Sequence, residues 1–297
     1  MIKIENVTKT FGNFVALDKL NVNVKKGSVY GLVGVNGSGK TTAIRHLCGV
    51  YRQDSGEVLI NGIPIYDNIE IKQRIGFVSD DLTFFDNSIR SLKRLYRDMY
   101  NNWNEERFNK LVSQFGLNER GNLKKFSKGM QKQASFAFAM ATTPNVLLLD
   151  EPIDGLDPIV RRLVIKEIME DVAEREMTVL VSSHNLKEME GICDSIGIVK
   201  NGRMIVERDI DDLKSDVHKI QIAFPDGVQQ GTEKYGDLNV LHQETRGSVE
   251  LLVVRGKQDE IINKIKTLNP HLYDVLSLTL EEIFIYETDG EFNEIPY

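Results

Sequence analysis

Hydrophobic and polar residues alternate at the start of the chain, as they do in half-buried strands. The alternation covers residues 2–7 and returns at residues 22–24, with Gly12 between the two stretches. We therefore predict two short strands joined by a hairpin, which begin an antiparallel β subdomain. The continuous apolar run 29–33 then leads into glycines, and a helix is predicted from Thr41 onward. This order is typical of a buried strand, a loop and a helix.

A helical period replaces the alternation in the middle of the chain. Apolar residues recur every three or four positions over residues 92–103 and again over residues 108–115. A third helix is predicted between Ser127 and Pro144, because proline cannot continue a helix. We expect these helices to form a helical subdomain over about residues 83–140.

Two short apolar runs, residues 146–149 and the β-branched residues 178–181, are continuous rather than alternating. Such runs are typical of parallel strands that are covered by helices on both faces. We therefore predict an α/β core over residues 1–208.

The pattern changes after Arg208. Strands are predicted near residues 220–224 and 249–253, followed by a helix over residues 261–268. We expect a separate, small α+β domain over residues 209–297, whose role could be to dimerise, to regulate or to cap the core.

Composition narrows the class of protein. The chain has 297 residues, of which 41% are hydrophobic and 27% charged, enough for one large or two modest domains. No apolar run approaches the roughly 20 residues of a membrane-spanning helix. The net charge of −7 argues against a nucleic-acid partner, which normally requires a clustered excess of Lys and Arg. Cys48 and Cys193 lack metal-site spacing, so a cytosolic location is the default expectation.

The glycine-rich segment after residue 33 fits the phosphate-loop pattern, in which backbone N–H groups surround phosphates. Lys40 would reach the terminal phosphates and Thr41 would ligate Mg²⁺. The residues predicted to bind the nucleotide here are Asn36, Gly37, Ser38, Gly39, Lys40, Thr41 and Thr42.

Two carboxylates follow the apolar run 146–149, where an open α/β sheet binds its ligand. Asp150 is predicted to hold the metal and its water shell. Glu151 is predicted to polarise a water for in-line attack on the γ-phosphate.

The segment Phe126-Ser127-Lys128-Gly129-Met130 resembles the signature peptide of ATP-binding-cassette (ABC) ATPases. Gly155-Leu156-Asp157 resembles the D-loop of that family, and His184 resembles its switch histidine. The resemblance covers about seven-tenths of the chain and implies an ABC ATPase core that binds ATP and Mg²⁺ and hydrolyses ATP.

The resemblance also implies roles for single residues. Ser127 and Gly129 would face the phosphates of a partner subunit, with Asp157 nearby. His184 would contact the γ-phosphate, and Phe11 would stack on adenine, with Phe14 as the alternative.

The sequence departs from the family at two places. Asp80 stands where the family usually has a glutamine that meets Mg²⁺ and the nucleotide, with Asp81 as an alternative ligand. Lys128 and Met130 replace the commoner glycine and glutamine of the signature, while its phosphate-facing residues are retained.

The resemblance implies a head-to-tail dimer with shared sites, formed by two copies or with a paralogous ATPase subunit. It further implies a separate transmembrane permease, which residues 80–103 would contact, and a peripheral location on the cytoplasmic side of the cell membrane. The FSKGM and LEEIF phrases look like those of ATPases that export drugs, antimicrobial peptides or toxins. The alternative is a soluble ABC ATPase acting on DNA or ribosomes, but the chain lacks the long coiled coil or the second cassette typical of those proteins.

Overall fold

The structure is a computed structural model, and it describes residues 1–81, 88–152, 154–224 and 233–287. The first residues of the predicted helical subdomain, 83–87, lie outside the described residues, as do residues 82–87 of the predicted permease contact.

The chain divides into two compact units. The first unit comprises Met1–Asn185 and Ile192–Glu207, and the second comprises Leu186–Gly191 and the residues from Arg208 onward. The second unit therefore includes a short segment from within the predicted range 1–208.

The first unit contains two sheets and a set of helices. Its strands are β1 (Ile2–Phe11), β2 (Phe14–Val24), β3 (Val29–Val33), β4 (Ser55–Ile60), β5 (Ile63–Pro64), β6 (Ile75–Val78), β7 (Val146–Asp150), β8 (Thr178–Ser183), β9 (Ser195–Lys200) and β10 (Arg203–Asp209), the last two residues of which pass into the second unit. Its helices are α1 (Lys40–Leu47), α2 (Ile69–Lys72), α3 (Ile89–Met99), α4 (Glu105–Gln114), α5 (Lys128–Ala141) and α6 (Pro158–Arg175). Within the described ranges, every helix of the chain is too short or too polar to cross a bilayer.

The larger sheet has the order β10-β9-β3-β8-β7-β6, and β3 pairs in parallel with β8 and β9, as β7 does with β6 and β8. Strands β3, β7 and β8 are buried along their whole length. Because the carboxyl ends of parallel strands share one edge, the phosphate loop after Val33 lies beside Asp150 and Ser183. The predicted α/β fold class is confirmed.

The smaller sheet is antiparallel, in the order β2-β1-β4-β5. Strands β1 and β2 are longer than the predicted stretches, which covered residues 2–7 and 22–24. The pairing of β1 with β2 shifts register between Ile4 and Val7 and again further along, and Asn6 has a φ of 49°. These bulges interrupt the alternation that the sequence pattern depends on.

The helical subdomain contains α3, α4 and α5. Helix α3 ends at Met99, so the helical prediction through residue 103 is wrong for its last residues. Trp103 nevertheless packs 5.0 Å from Phe108, and Phe108 lies 4.8 Å from Phe138, measured between ring centroids. The helical spacing continues beyond the helix because the half-buried Trp103 packs into the same aromatic cluster.

The second unit is α+β. Its elements are α7 (Leu186–Glu190), α8 (Ile210–Asp216), β11 (Val217–Ala223), β12 (Asn239–Arg246), β13 (Val249–Arg255), α9 (Gln258–Thr267), β14 (Leu272–Leu276) and α10 (Leu280–Glu287). Its sheet has the antiparallel order β12-β13-β11-β14. The predicted strands and helix correspond to β11, β13 and α9, whereas β12, β14 and α10 were not predicted. Strand β12 is half-exposed along most of its length, so it lacks a clear apolar face.

Candidate nucleotide site

The phosphate loop lies against neighbouring backbone. The Gly34 N–H donates to the Ser183 carbonyl oxygen at 3.3 Å, which fixes the loop to the end of β8. Gly39 has a φ of +112°, and a Cβ at this position would lie 2.8 Å from the Ala16 carbonyl oxygen. Only glycine fits here, so the close turn that begins α1 depends on Gly39.

Lys40 is the cation of this loop. Its side chain is 6% exposed, and its Nζ donates to the Gly34 carbonyl oxygen at 2.6 Å. The neighbouring Ser38 hydroxyl is buried and has no hydrogen-bond partner among the described residues. A buried ammonium group, a buried hydroxyl and a glycine backbone form a donor set that suits phosphate oxygens.

Asp150 lies at the end of β7 with 2% of its surface exposed. Its Oδ1 accepts a hydrogen bond from the Ser182 hydroxyl at 2.6 Å and another from the Thr41 hydroxyl at 3.2 Å. The Asp150 carboxylate and the Thr41 hydroxyl are 109 residues apart in the sequence, yet they lie side by side in the fold. Their oxygens are the hard ligands that Mg²⁺ prefers, so this donor set fits the predicted ion.

Glu151 follows directly and has a left-handed φ of 46°. Its carboxylate lies between two basic groups: Oε1 is 3.5 Å from Nζ of Lys40, and Oε2 is 3.1 Å from Nδ1 of His184. Its N–H donates to the Ser182 hydroxyl at 3.1 Å. The structure thus brings Lys40, Glu151 and His184 together.

The surroundings of Glu151 alter its acidity. Burial raises the pKa of this carboxyl above 4.5, and the nearby Lys40 and His184 offset only part of that rise. A carboxylate with a raised pKa is a stronger base than a solvated one, which suits the predicted activation of water.

Ser127 and Asp157 contact their own helices in this single chain. The Ser127 hydroxyl accepts from the Met130 N–H at 3.2 Å at the start of α5. Asp157 Oδ1 accepts from the first backbone N–H groups of α6 at 3.0 Å. Both residues are exposed. Gly129 lies beneath Gly155, whose carbonyl oxygen would be 2.8 Å from an added Cβ.

Other predicted residues lie further from the carboxylates. Phe11 packs edge-on against Tyr51 with the ring centroids 5.3 Å apart, and it is paired across the hairpin with the more exposed Phe14. Both candidates for the adenine contact therefore stay open. In the loop itself, Asn36 and Gly37 are exposed. The Thr42 carbonyl oxygen lies 2.7 Å from Nδ1 of His46, one turn along α1.

Asp80 pairs with a lysine rather than with Thr41 or Asp150 among the described contacts. Its Oδ1 lies 2.9 Å from Nζ of Lys132, while the alternative Asp81 binds the Ser79 hydroxyl through its N–H. Lys132 and Ser182 were not predicted from the sequence as site residues. The signals that could have found them are a lysine inside an apolar helix face and a hydroxyl at the end of a buried strand.

The sequence matches known proteins along most of its length. Residues 17–154 match the family model described as ABC transporter. The ABC transporter ATP-binding protein YtrB of Bacillus subtilis is 29% identical over 98% of this chain and 99% of its own. The bacitracin transport ATP-binding protein BcrA of Bacillus licheniformis is 32% identical over 95% of this chain and 94% of its own. The chain belongs to the ABC transporter family. This confirms the predicted family.

The fold agrees with that of other ABC cassettes. A dimeric structure of a bacterial ABC transporter cassette matches 71% of this chain and 99% of its own, with 25% identity and a TM-score of 0.63. The protein is an ATP-binding and ATP-hydrolysing subunit of an ABC transporter. ABC cassettes of this kind dimerise and work with transmembrane subunits.

Proposed function

We propose that this chain hydrolyses Mg·ATP at two sites shared between paired ABC subunits, and that the cycle drives export through a separate transmembrane permease. The observation that carries the proposal is the position of Glu151. Its carboxylate, with the side chain 13% exposed, lies between Lys40 and His184 at the edge of the sheet where the phosphate loop begins.

Each polar group then has one role. Glu151 accepts a proton from the attacking water, and its raised pKa favours that transfer. His184 holds the carboxylate in place and faces the charge that develops on the γ-phosphate. Lys40 and Ser38 bind the phosphates.

Thr41 and Asp150 would hold Mg²⁺, with their oxygens already adjacent. An ion held there would supply positive charge that offsets the charge of the phosphates.

The second half of each site would come from another subunit. Ser127 is exposed at the start of α5, so its side chain would be accessible to the nucleotide of a partner, and the half-buried Gly129 lies two residues further on. Since this chain has both a phosphate loop and a signature peptide, two copies form two complete sites, and a paralogous subunit could replace one copy. Asp157 would lie at the same interface.

A mixed dimer tests the sharing of sites. Lys40→Ala disables the phosphate loop of one chain, and Ser127→Arg disables the signature of the other. Each homodimer then has two damaged sites, whereas the mixed dimer has one intact site and one with both defects. We expect mixing to restore ATP hydrolysis well above the mean of the two homodimers. Activity equal to that mean would contradict shared sites.

The transported compound is inferred from a relative. BcrA is named for bacitracin transport, and this chain covers 94% of its length. We infer that the cargo is an amphipathic peptide antibiotic, a toxin or a drug.

We also infer that the subunit is peripheral on the cytoplasmic side of the cell membrane. We infer that it binds no nucleic acid.

Cell fractionation tests the location and the partner. The tagged chain should sediment with membranes and co-purify with an integral membrane protein. Cosedimentation with ribosomes, without such a protein, would support a soluble ABC ATPase instead.

A further inference from the structure

The side chain of Lys132 connects α5 to the ends of two neighbouring strands. Only 5% of Lys132 is exposed. Its Nζ donates to the Glu151 carbonyl oxygen at 2.6 Å and lies 2.9 Å from Oδ1 of Asp80. Glu151 follows β7, and Asp80 follows β6, which pairs with β7. A buried ammonium group needs such partners, because leaving one unpaired is costly.

The hydrogen bond to Glu151 acts on an unusual backbone conformation. Glu151 has a φ of 46°, a left-handed value that residues other than glycine rarely adopt without support. Both of its peptide groups are held: the N–H by the Ser182 hydroxyl at 3.1 Å, and the C=O by Lys132. From this backbone the Glu151 side chain reaches His184, with Oε2 3.1 Å from Nδ1.

Asp80 holds the same ammonium group from the other side. The Asp80 side chain is 57% exposed, whereas the Lys132 side chain is 5% exposed. The ion pair therefore joins a carboxylate at the surface to an ammonium group in the interior. An ion pair places the ammonium group more firmly than a neutral amide would, because it adds charge attraction to the hydrogen bond. The aspartate that replaces the usual glutamine is thus matched by a lysine within reach.

We propose that Lys132 is a positioning residue for ATP hydrolysis: it fixes the Glu151 backbone so that the carboxylate faces the γ-phosphate site, and Asp80 acts through Lys132. The inference rests on the proposed role of Glu151 as the base. It gives Asp80 a function in orienting the base instead of a function in binding the metal.

The first test replaces Lys132 by methionine, which keeps the length of the side chain and removes its charge. We expect kcat to fall by on the order of 100-fold, with the KM for ATP and the affinity for ATP little changed, since misplacement of a reacting group by about 1 Å has effects of this size. Lys166→Met is the matched control, because Lys166 is 67% exposed and pairs with Glu170 at the surface of α6. An unchanged kcat in folded Lys132→Met protein would overturn the proposal.

A second comparison separates positioning from general support of the fold. In protein that already carries Glu151→Gln, Lys132→Met should lower the residual single-turnover rate no further, because no carboxylate is left to orient. A loss of the same factor in both backgrounds would show that Lys132 acts elsewhere. Normal turnover by Glu151→Gln alone would instead refute the proposed base, so the two failures are distinguishable.

The third comparison concerns Asp80 and remains informative if Lys132→Met does not fold. Asp80→Asn should lower kcat below that of the wild type, without raising the Mg²⁺ concentration required for half-maximal rate. The charge swap Asp80→Lys with Lys132→Asp restores an ion pair but leaves the Glu151 carbonyl without its donor, so it should not recover kcat. Recovery by the swap, or a raised Mg²⁺ requirement in Asp80→Asn, would contradict the proposal.

Discussion

Asp150 and Glu151 are neighbours in the chain, yet their carboxylates serve different groups. Asp150 Oδ1 accepts from the Thr41 hydroxyl at 3.2 Å, whereas Glu151 Oε2 lies 3.1 Å from Nδ1 of His184. Glu151 has a left-handed φ of 46°, and the Ser182 hydroxyl contacts both residues. One strand end can therefore supply a metal ligand and a base.

The acidity of Glu151 predicts how hydrolysis depends on pH. Burial raises the pKa of Glu151 above 4.5, so the carboxylate becomes protonated at a higher pH than an exposed glutamate. Since the base must be ionised, kcat should fall on acidification, and the fall should begin at a higher pH than a solvent-exposed glutamate would give. His184 lowers the Glu151 pKa, so His184→Ala should move this acidic limb to higher pH as well as reducing the plateau. A pH profile of kcat checks both effects, and an unmoved limb in His184→Ala would count against the contact.

The Thr41 hydroxyl predicts a specific change in metal dependence. Thr41→Val keeps the shape of the side chain and removes the oxygen next to Asp150. We expect the Mg²⁺ concentration for half-maximal hydrolysis to rise about 10–100-fold, a typical effect of disturbing a metal site. Thr267→Val, an exposed threonine of the second unit, is the control. If Mg²⁺ titrations of the two variants coincide, Thr41 is not a ligand.

We expect that replacing Gly39 in the phosphate loop lowers stability and abolishes ATP binding. Gly39→Ala combines a left-handed conformation with a Cβ 2.8 Å from the Ala16 carbonyl oxygen. Gly62 has a φ of 76° and no atom within 4 Å of the added Cβ, so Gly62→Ala carries the conformational strain alone. We expect about 1–2 kcal/mol of destabilisation for Gly62→Ala and at least about 1 kcal/mol more for Gly39→Ala, with loss of ATP binding. Urea unfolding measures the stability of both variants, and nucleotide titration measures their ATP binding. Equal losses of stability in Gly39→Ala and Gly62→Ala would show that the clash with the Ala16 carbonyl oxygen is absent.

Much of the first unit was predictable because its signals are local. The buried runs that became β3, β7 and β8 are continuous and apolar, and the phosphate loop has fixed spacing between glycines and Lys40. The start of α5 after Ser127 was also predicted correctly.

The remaining features depend on contacts between distant residues. Lys132 looks like one more charge on a helix until the fold places it against the Glu151 carbonyl oxygen. The left-handed backbone of Glu151 leaves no mark in the sequence, because glutamate has no preference for it. The hydroxyl of Ser182 joins the site only through the pairing of β8 with β7.

The variant Glu151→Gln tests whether Glu151 is the catalytic base. This change keeps the size of the side chain and removes its capacity to accept a proton. We expect kcat to fall by at least about 100-fold, as for loss of a general base, while ATP is bound normally. Size-exclusion chromatography with Mg·ATP should then show the variant accumulating as a dimer, with wild-type protein as the comparison. Normal phosphate release by Glu151→Gln, without an ATP-dependent dimer, would contradict the central claim that Glu151 is the catalytic base.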